Sequence, residues 1–83
     1  MRGTGPVTIG RETVYAYFME AGRALRLRLS ADECERFDLF EGRQIRIRFN
    51  GQEPASGLVM AVAHAPPFVW VEVEFSGVVS RAG

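Results

Sequence analysis

Lysine is absent from this sequence: all ten basic residues are arginine, and ten acidic residues balance them to a formal net charge of zero. A balanced chain has no overall field to draw it toward nucleic acid or an anionic membrane, so any basic surface has to be local. Cysteine and histidine each occur once, as Cys34 and His64. That scarcity excludes an internal disulfide, a cysteine-based zinc cluster and a histidine-rich metal site. No apolar stretch of signal-peptide length follows Met1-Arg2-Gly3-Thr4-Gly5-Pro6, and the longest aliphatic run, Leu58 to Ala63, is far too short to span a bilayer. There is no phosphate loop, dinucleotide fingerprint or nucleophile elbow. The acids Glu72 and Glu74, two apart on one strand, read as a solvated face rather than a hydrolytic pair. These absences predict a cytoplasmic, non-catalytic protein with no cofactor, no metal and no membrane contact.

What is present points to one small domain. A chain of 83 residues is short for two independent cores, yet 47% of it is hydrophobic, a generous share for a body that leaves much of its surface exposed. Self-association is the usual remedy at this size, so a homodimer is expected. Three glycines and a proline within residues 1–11 predict a flexible arm, with the domain covering 12–76 and a loose tail over 77–83.

Period-two alternation marks the strands. From Val14, the residues Val14, Ala16 and Phe18 share one side and Tyr15, Tyr17 and Met19 the other. Leu25, Leu27 and Leu29 then point inward with Arg26 and Arg28 outward, and Ile45, Ile47 and Phe49 inward with Arg46 and Arg48 outward. Between these two strands, Ser30-Ala31-Asp32-Glu33 has the capping-box pattern and predicts a two-turn helix from Ala31 to about Asp38. Gly57 to His64 is apolar at both parities, as a strand covered on both sides would be. Pro66-Pro67 ends it, and the last strand, Phe68 to Phe75, puts Val69, Val71, Val73 and Phe75 on one face and Trp70, Glu72 and Glu74 on the other. The expected fold is mainly β with one short helix: a small, partly open or closed β-barrel in the order β-β-α-β-β-β.

The stretch from Leu25 to Asn50, an alternating strand, a capped short helix, the turn Leu39-Phe40-Glu41-Gly42-Arg43 and a second alternating strand, resembles the cradle-loop barrel families. In the AbrB-like swapped-hairpin group two short chains interlock into one DNA-binding barrel, and the double-psi half-barrels carry a similar helix and Leu-Phe-x-Gly turn. Arg43 stands where those families usually have aspartate. The resemblance implies a homodimeric DNA-binding regulator; an SH3-like or other small barrel fits the same alternation.

Two sets of residues are candidates for function. Arg26, Arg28, Arg46 and Arg48 form a phosphate-contacting patch for DNA if their two strands are neighbours; otherwise Glu72 and Glu74 neutralise arginines across strands. Tyr15, Tyr17 and Trp70, outside the core, suit a subunit interface or a foreign protein partner, because tyrosine, tryptophan and arginine dominate interface energetics. Cys34, in an acidic first turn, is expected to be a buried structural thiol, and His64 an ordinary strand-end histidine.

Overall fold

Two tight turns organise the first half of the chain. In Gly10-Arg11 and Gly22-Arg23 the leading glycine has a φ of 65° and 62°, the positive value that a type II′ hairpin asks of its first central residue. They link strands β1 (Arg2–Ile9), β2 (Glu12–Ala21) and β3 (Ala24–Ser30), after which come α1 (Ala31–Arg36), β4 (Gln44–Phe49), β5 (Ala55–Ala65) and β6 (Phe68–Val78). The computed structural model describes residues 1–78.

All neighbouring strands are antiparallel, and the sheet closes on itself in the order β1-β2-β3-β6-β5-β4. Closure comes from β1 meeting β4 through Val7–Phe49, Thr8–Arg48 and Ile9–Ile47. Closure gives every strand two neighbours, although the ladders β1–β4, β2–β3 and β4–β5 cover only part of the strands' length. The molecule is thus mainly β with one short helix, a small β-barrel, and the expected β-β-α-β-β-β run is found with one further strand ahead of it.

That further strand corrects the reading of residues 1–11 as a flexible arm. Arg2 to Ile9 pairs residue for residue with Met19 to Glu12, and Val7 and Ile9 are buried. Gly5 lies so close to the Phe18 ring and Asn50 that an added Cβ would sit 3.5 and 3.3 Å from their nearest atoms. Pro6 falls just outside the β1–β4 ladder, where its missing N–H costs nothing on that side and its carbonyl accepts from Asn50 N at 2.9 Å. At the other end, Gly77 and Val78 of the expected tail belong to β6, and residues 79–83 lie outside those described.

The core is the barrel lumen, filled by Val7, Phe18, Leu25, Leu27, Leu29, Ile47, Val59, Val71, Val73 and their neighbours, as a barrel too narrow for a cavity requires. Phe49 stacks on Phe75 with centroids 5.9 Å apart and meets Phe18 at a tilt of 60° with centroids 5.4 Å apart. The helix plugs one end, resting on β3 and β6 and burying Cys34, with Phe37 and Leu39 just beyond it. Both arms of the capping box form, Glu33 N to Ser30 Oγ at 3.1 Å and Ser30 N to Glu33 Oε1 at 3.0 Å. The helix stops short of its expected end because Asp38 turns left-handed, with φ 56°, and Arg43 donates to the carbonyls of Phe37 and Asp38. Those carbonyls belong to the C-cap residue and the one after it, while the carbonyls of Glu33, Cys34 and Glu35 in the last turn accept from the backbone N–H groups of Phe37, Leu39 and Asp38.

Strand β5 is a second correction, since it is not covered on both sides. The register jumps between Val59 and Ala61, so that Val59 faces Val73 and Val62 faces Val71, with Met60 as the extra residue. A bulge of this kind resets the parity. The inward positions are Val59 and Val62, while Met60 is 42% exposed.

Candidate interaction surface

The inward alternation decides what stands outside. On β2, burying Val14, Ala16 and Phe18 turns Tyr15, Tyr17 and Met19 outward; on β3, burying the three leucines turns out Arg26 and Arg28. Inward Val69, Val71 and Val73 on β6 leave Phe68, Trp70 and Glu72 on the outer wall. On β5 the register partners of those three are Ala65, Ala63 and Ala61, and directly paired residues share a face. The paired strands β3 and β6 therefore form the centre of one outer wall, and Met19 of β2 and Ala61 and Ala63 of β5 border the groove that runs along it.

This wall holds all three aromatic candidates. Tyr15 is 75% exposed. Tyr17 and Trp70 flank Arg28 across the ladder and meet edge to face with centroids 6.1 Å apart. The Arg28 guanidinium lies 5.1 Å from the Tyr17 ring centre and 4.6 Å from that of Phe68, a cation–π arrangement that holds a flexible side chain in place. Beside it runs an open groove of about 290 Å³ lined by Met19, Arg26, Trp70, Glu72 and the alanines Ala61 and Ala63. Phe68 was missed at the sequence level, although its parity with Trp70 is the signal that places it here.

The four arginines do not form one patch. In the closed order β3 and β4 are separated by β2 and β1 on one side and by β6 and β5 on the other, so Arg26 and Arg28 stand on the wall opposite Arg46 and Arg48. The latter pair borders a shallow depression of about 240 Å³ with Thr8, Gly10, Ile47 and Pro54, and its cross-strand partners, Ser56 and Thr8, are neutral. Neutralisation across strands is also incomplete. Arg26 and Glu72 are register partners, yet neither takes part in the ion pairs Arg36–Glu12 at 3.5 Å and Arg43–Asp38 at 3.9 Å. Arg26 and Glu72 thus sit side by side on the wall without joining.

His64 is exposed at the end of β5. Among the described residues no group of three or more His, Cys, Asp or Glu is placed to hold a metal ion, and no helix is long and apolar enough to cross a membrane.

Cys34 is 7% exposed, donates weakly to the Leu39 carbonyl at 3.9 Å, and burial pushes its thiol above the ordinary value of 9.0. The folded state therefore holds this proton more tightly than the unfolded chain does. Its contribution is intact below the unfolded value and is lost as pH rises through the folded one. Denaturation midpoints of wild type and Cys34→Ala, followed from neutral pH to about pH 10, should show a steeper alkaline loss in wild type; parallel curves would mean that the thiol is not desolvated.

In comparisons with known proteins, no family model, no curated protein and no solved structure matches this chain.

Proposed function

We propose that this chain is a non-catalytic protein-interaction or assembly module that docks through the outer wall of β2, β3, β6 and β5, and that it works in the cytoplasm, where a lone buried thiol stays reduced. The observation that carries the reading is the gathering of Tyr17, Phe68 and Trp70 around Arg28 on that wall, with Tyr15 exposed two residues further along β2. Aromatic rings held by an arginine are presented at little entropic cost, and such residues supply the anchors of protein interfaces. Docking on this wall is face-on, because its aromatic and arginine side chains stand on the outer surface of the sheet. A DNA-binding regulator that uses Arg26, Arg28, Arg46 and Arg48 together asks one duplex to reach opposite walls, and on one of those walls Glu72 and Glu74 would face the phosphates.

A photocrosslinking amino acid placed at Tyr15 or at Phe68 should give polypeptide adducts in cells, whereas at Gln44, exposed on β4, it should give none. Adducts at Gln44 alone, or equally at all three positions, would sink the proposal. Tight, steeply salt-dependent binding to duplex DNA, weakened alike by Arg26→Ala/Arg28→Ala and by Arg46→Ala/Arg48→Ala, would replace it with the DNA reading.

A further inference from the structure

We infer that the occupant of this wall is a second copy of the same chain, related by a two-fold axis that runs along the β3–β6 boundary; the inference rests on the docking wall proposed above. That boundary is the midline of the four strands, and the registers arrange the outward residues in rows across it. One row reads Met19, Arg26, Glu72, Ala61; the next reads Tyr17, Arg28, Trp70, Ala63. Each row therefore begins with a tall apolar side chain on β2, passes an arginine on β3 and an acid or an indole on β6, and ends with an alanine on β5.

A two-fold along the midline lays each row over itself reversed. Strand β3 then covers the partner's β6, and β2 covers the partner's β5. Arg26 meets the partner's Glu72, and by symmetry Glu72 meets the partner's Arg26, so the two groups left unjoined within one chain are joined twice between chains. Arg28 reaches the partner's Trp70 as it already reaches the Tyr17 and Phe68 rings. At the flanks, Tyr17 stands over the partner's Ala63 and Met19 over the partner's Ala61. This pairing of tall with short lets side chains of one copy enter the groove that Met19, Arg26, Trp70, Glu72, Ala61 and Ala63 line on the other. A self-complementary patch of this kind is the requirement of an isologous interface. The arrangement leaves Arg46 and Arg48 on the two outermost faces of the dimer.

Charge reversal separates this pairing from any other occupant. Arg26→Glu sets carboxylate against the partner's Glu72 twice in its own dimer, and Glu72→Arg sets guanidinium against the partner's Arg26 twice. Mixing the two variants restores opposite charges at both contacts. At one of them the introduced carboxylate faces the introduced guanidinium, and at the other the native Glu72 of the first variant faces the native Arg26 of the second. Sedimentation and native mass spectrometry should find a wild-type dimer, each variant weakened by on the order of tenfold to a hundredfold, and a mixed dimer of near wild-type affinity in the mixture. Ala63→Tyr, which blocks the seat of the partner's Tyr17, should also give monomers, and circular dichroism should show all three variants folded because the changes lie outside the core. A wild type that stays monomeric up to about 1 mM, or a mixture that fails to associate, overturns the inference. Crosslinks from Tyr15 to a different polypeptide alongside a monomeric wild type would remove the second copy and leave the docking wall standing; no crosslinks at all would remove both.

Discussion

Leu27→Ala should cost about 2–5 kcal/mol, while Met60→Ala should change stability by no more than about 0.5 kcal/mol. Leu27 has no exposed surface, sits mid-strand between Phe18 and Val71 in register, and is enclosed on every side by core residues. Removing its branched end leaves a cavity that a closed barrel cannot collapse, because every strand is tied to two neighbours. Met60 is just as apolar, but it is the extra residue of the β5 bulge and points into solvent. Urea unfolding of the two variants tests the placement of the bulge as well as the core: a large loss at Met60 would mean that Met60 points into the core and that β5 carries no bulge there. A domain of this size has roughly 5–15 kcal/mol to lose, so Leu27→Ala brings the barrel close to unfolding without any contact to the outer wall.

The ease of reading each strand from the sequence followed from how much its partners alter its pattern. Leu25 to Leu29 and Ile45 to Phe49 are regular, one-side-buried strands, and period two is all that their burial requires. The first strand hides its alternation behind Gly3, Gly5 and Pro6, residues tolerated there for reasons that exist only across the ladder: the Phe18 ring beside Gly5, and the end of the β4 pairing at Pro6. Strand β5 looked buried on both faces because a bulge slides the inward set by one residue, and neither parity is consistent from end to end. The capping box needed no tertiary information and forms as its four residues predict, whereas the end of the helix depends on Arg43 reaching back across the turn.

The same distinction governs the candidate site. That Tyr15, Tyr17 and Trp70 face outward is a local fact, legible from parity. That they share a wall with Arg28 and Phe68, and that Arg46 and Arg48 do not, depends on β3 pairing with β6 while β4 pairs with β1. Those pairings join residues far apart in the chain, and no local pattern in the sequence encodes them. The alanines at 61, 63 and 65 form a regular series in the sequence, yet the groove that Ala61 and Ala63 line with Trp70 appears only when β5 is placed beside β6, with β6 and β3 between it and the strand of the tyrosines.

Gly57→Ala is the change with the largest effect for its size. Gly57 is buried on β5 beside Ile45, and a Cβ built there would lie 2.5 Å from Val73 Cγ1 and 3.7 Å from Ile47 Cγ2. Val73 has no exposed surface and a β-branched side chain with restricted χ1, and the packed core around it leaves little room to swing aside, so the two strands must part instead. Overpacking of this kind costs about 1–3 kcal/mol. The register of β5 against β6 also shifts between Ser56 and Gly57, which leaves this corner fewer ladder bonds with which to resist. If the collision with Val73 is the cause, Val73→Ala must relieve it: Gly57→Ala should be far less costly in a Val73→Ala background than in wild type, with a coupling of about 1 kcal/mol or more in the double-mutant cycle. Additive losses would trace the penalty to the backbone of Gly57 rather than to the space above it. Strain at this corner reaches the outer wall through β6, where Val73 and Glu72 are chain neighbours. The same variant should therefore weaken self-association of whatever fraction remains folded, and Val73→Ala should recover part of that association along with the stability.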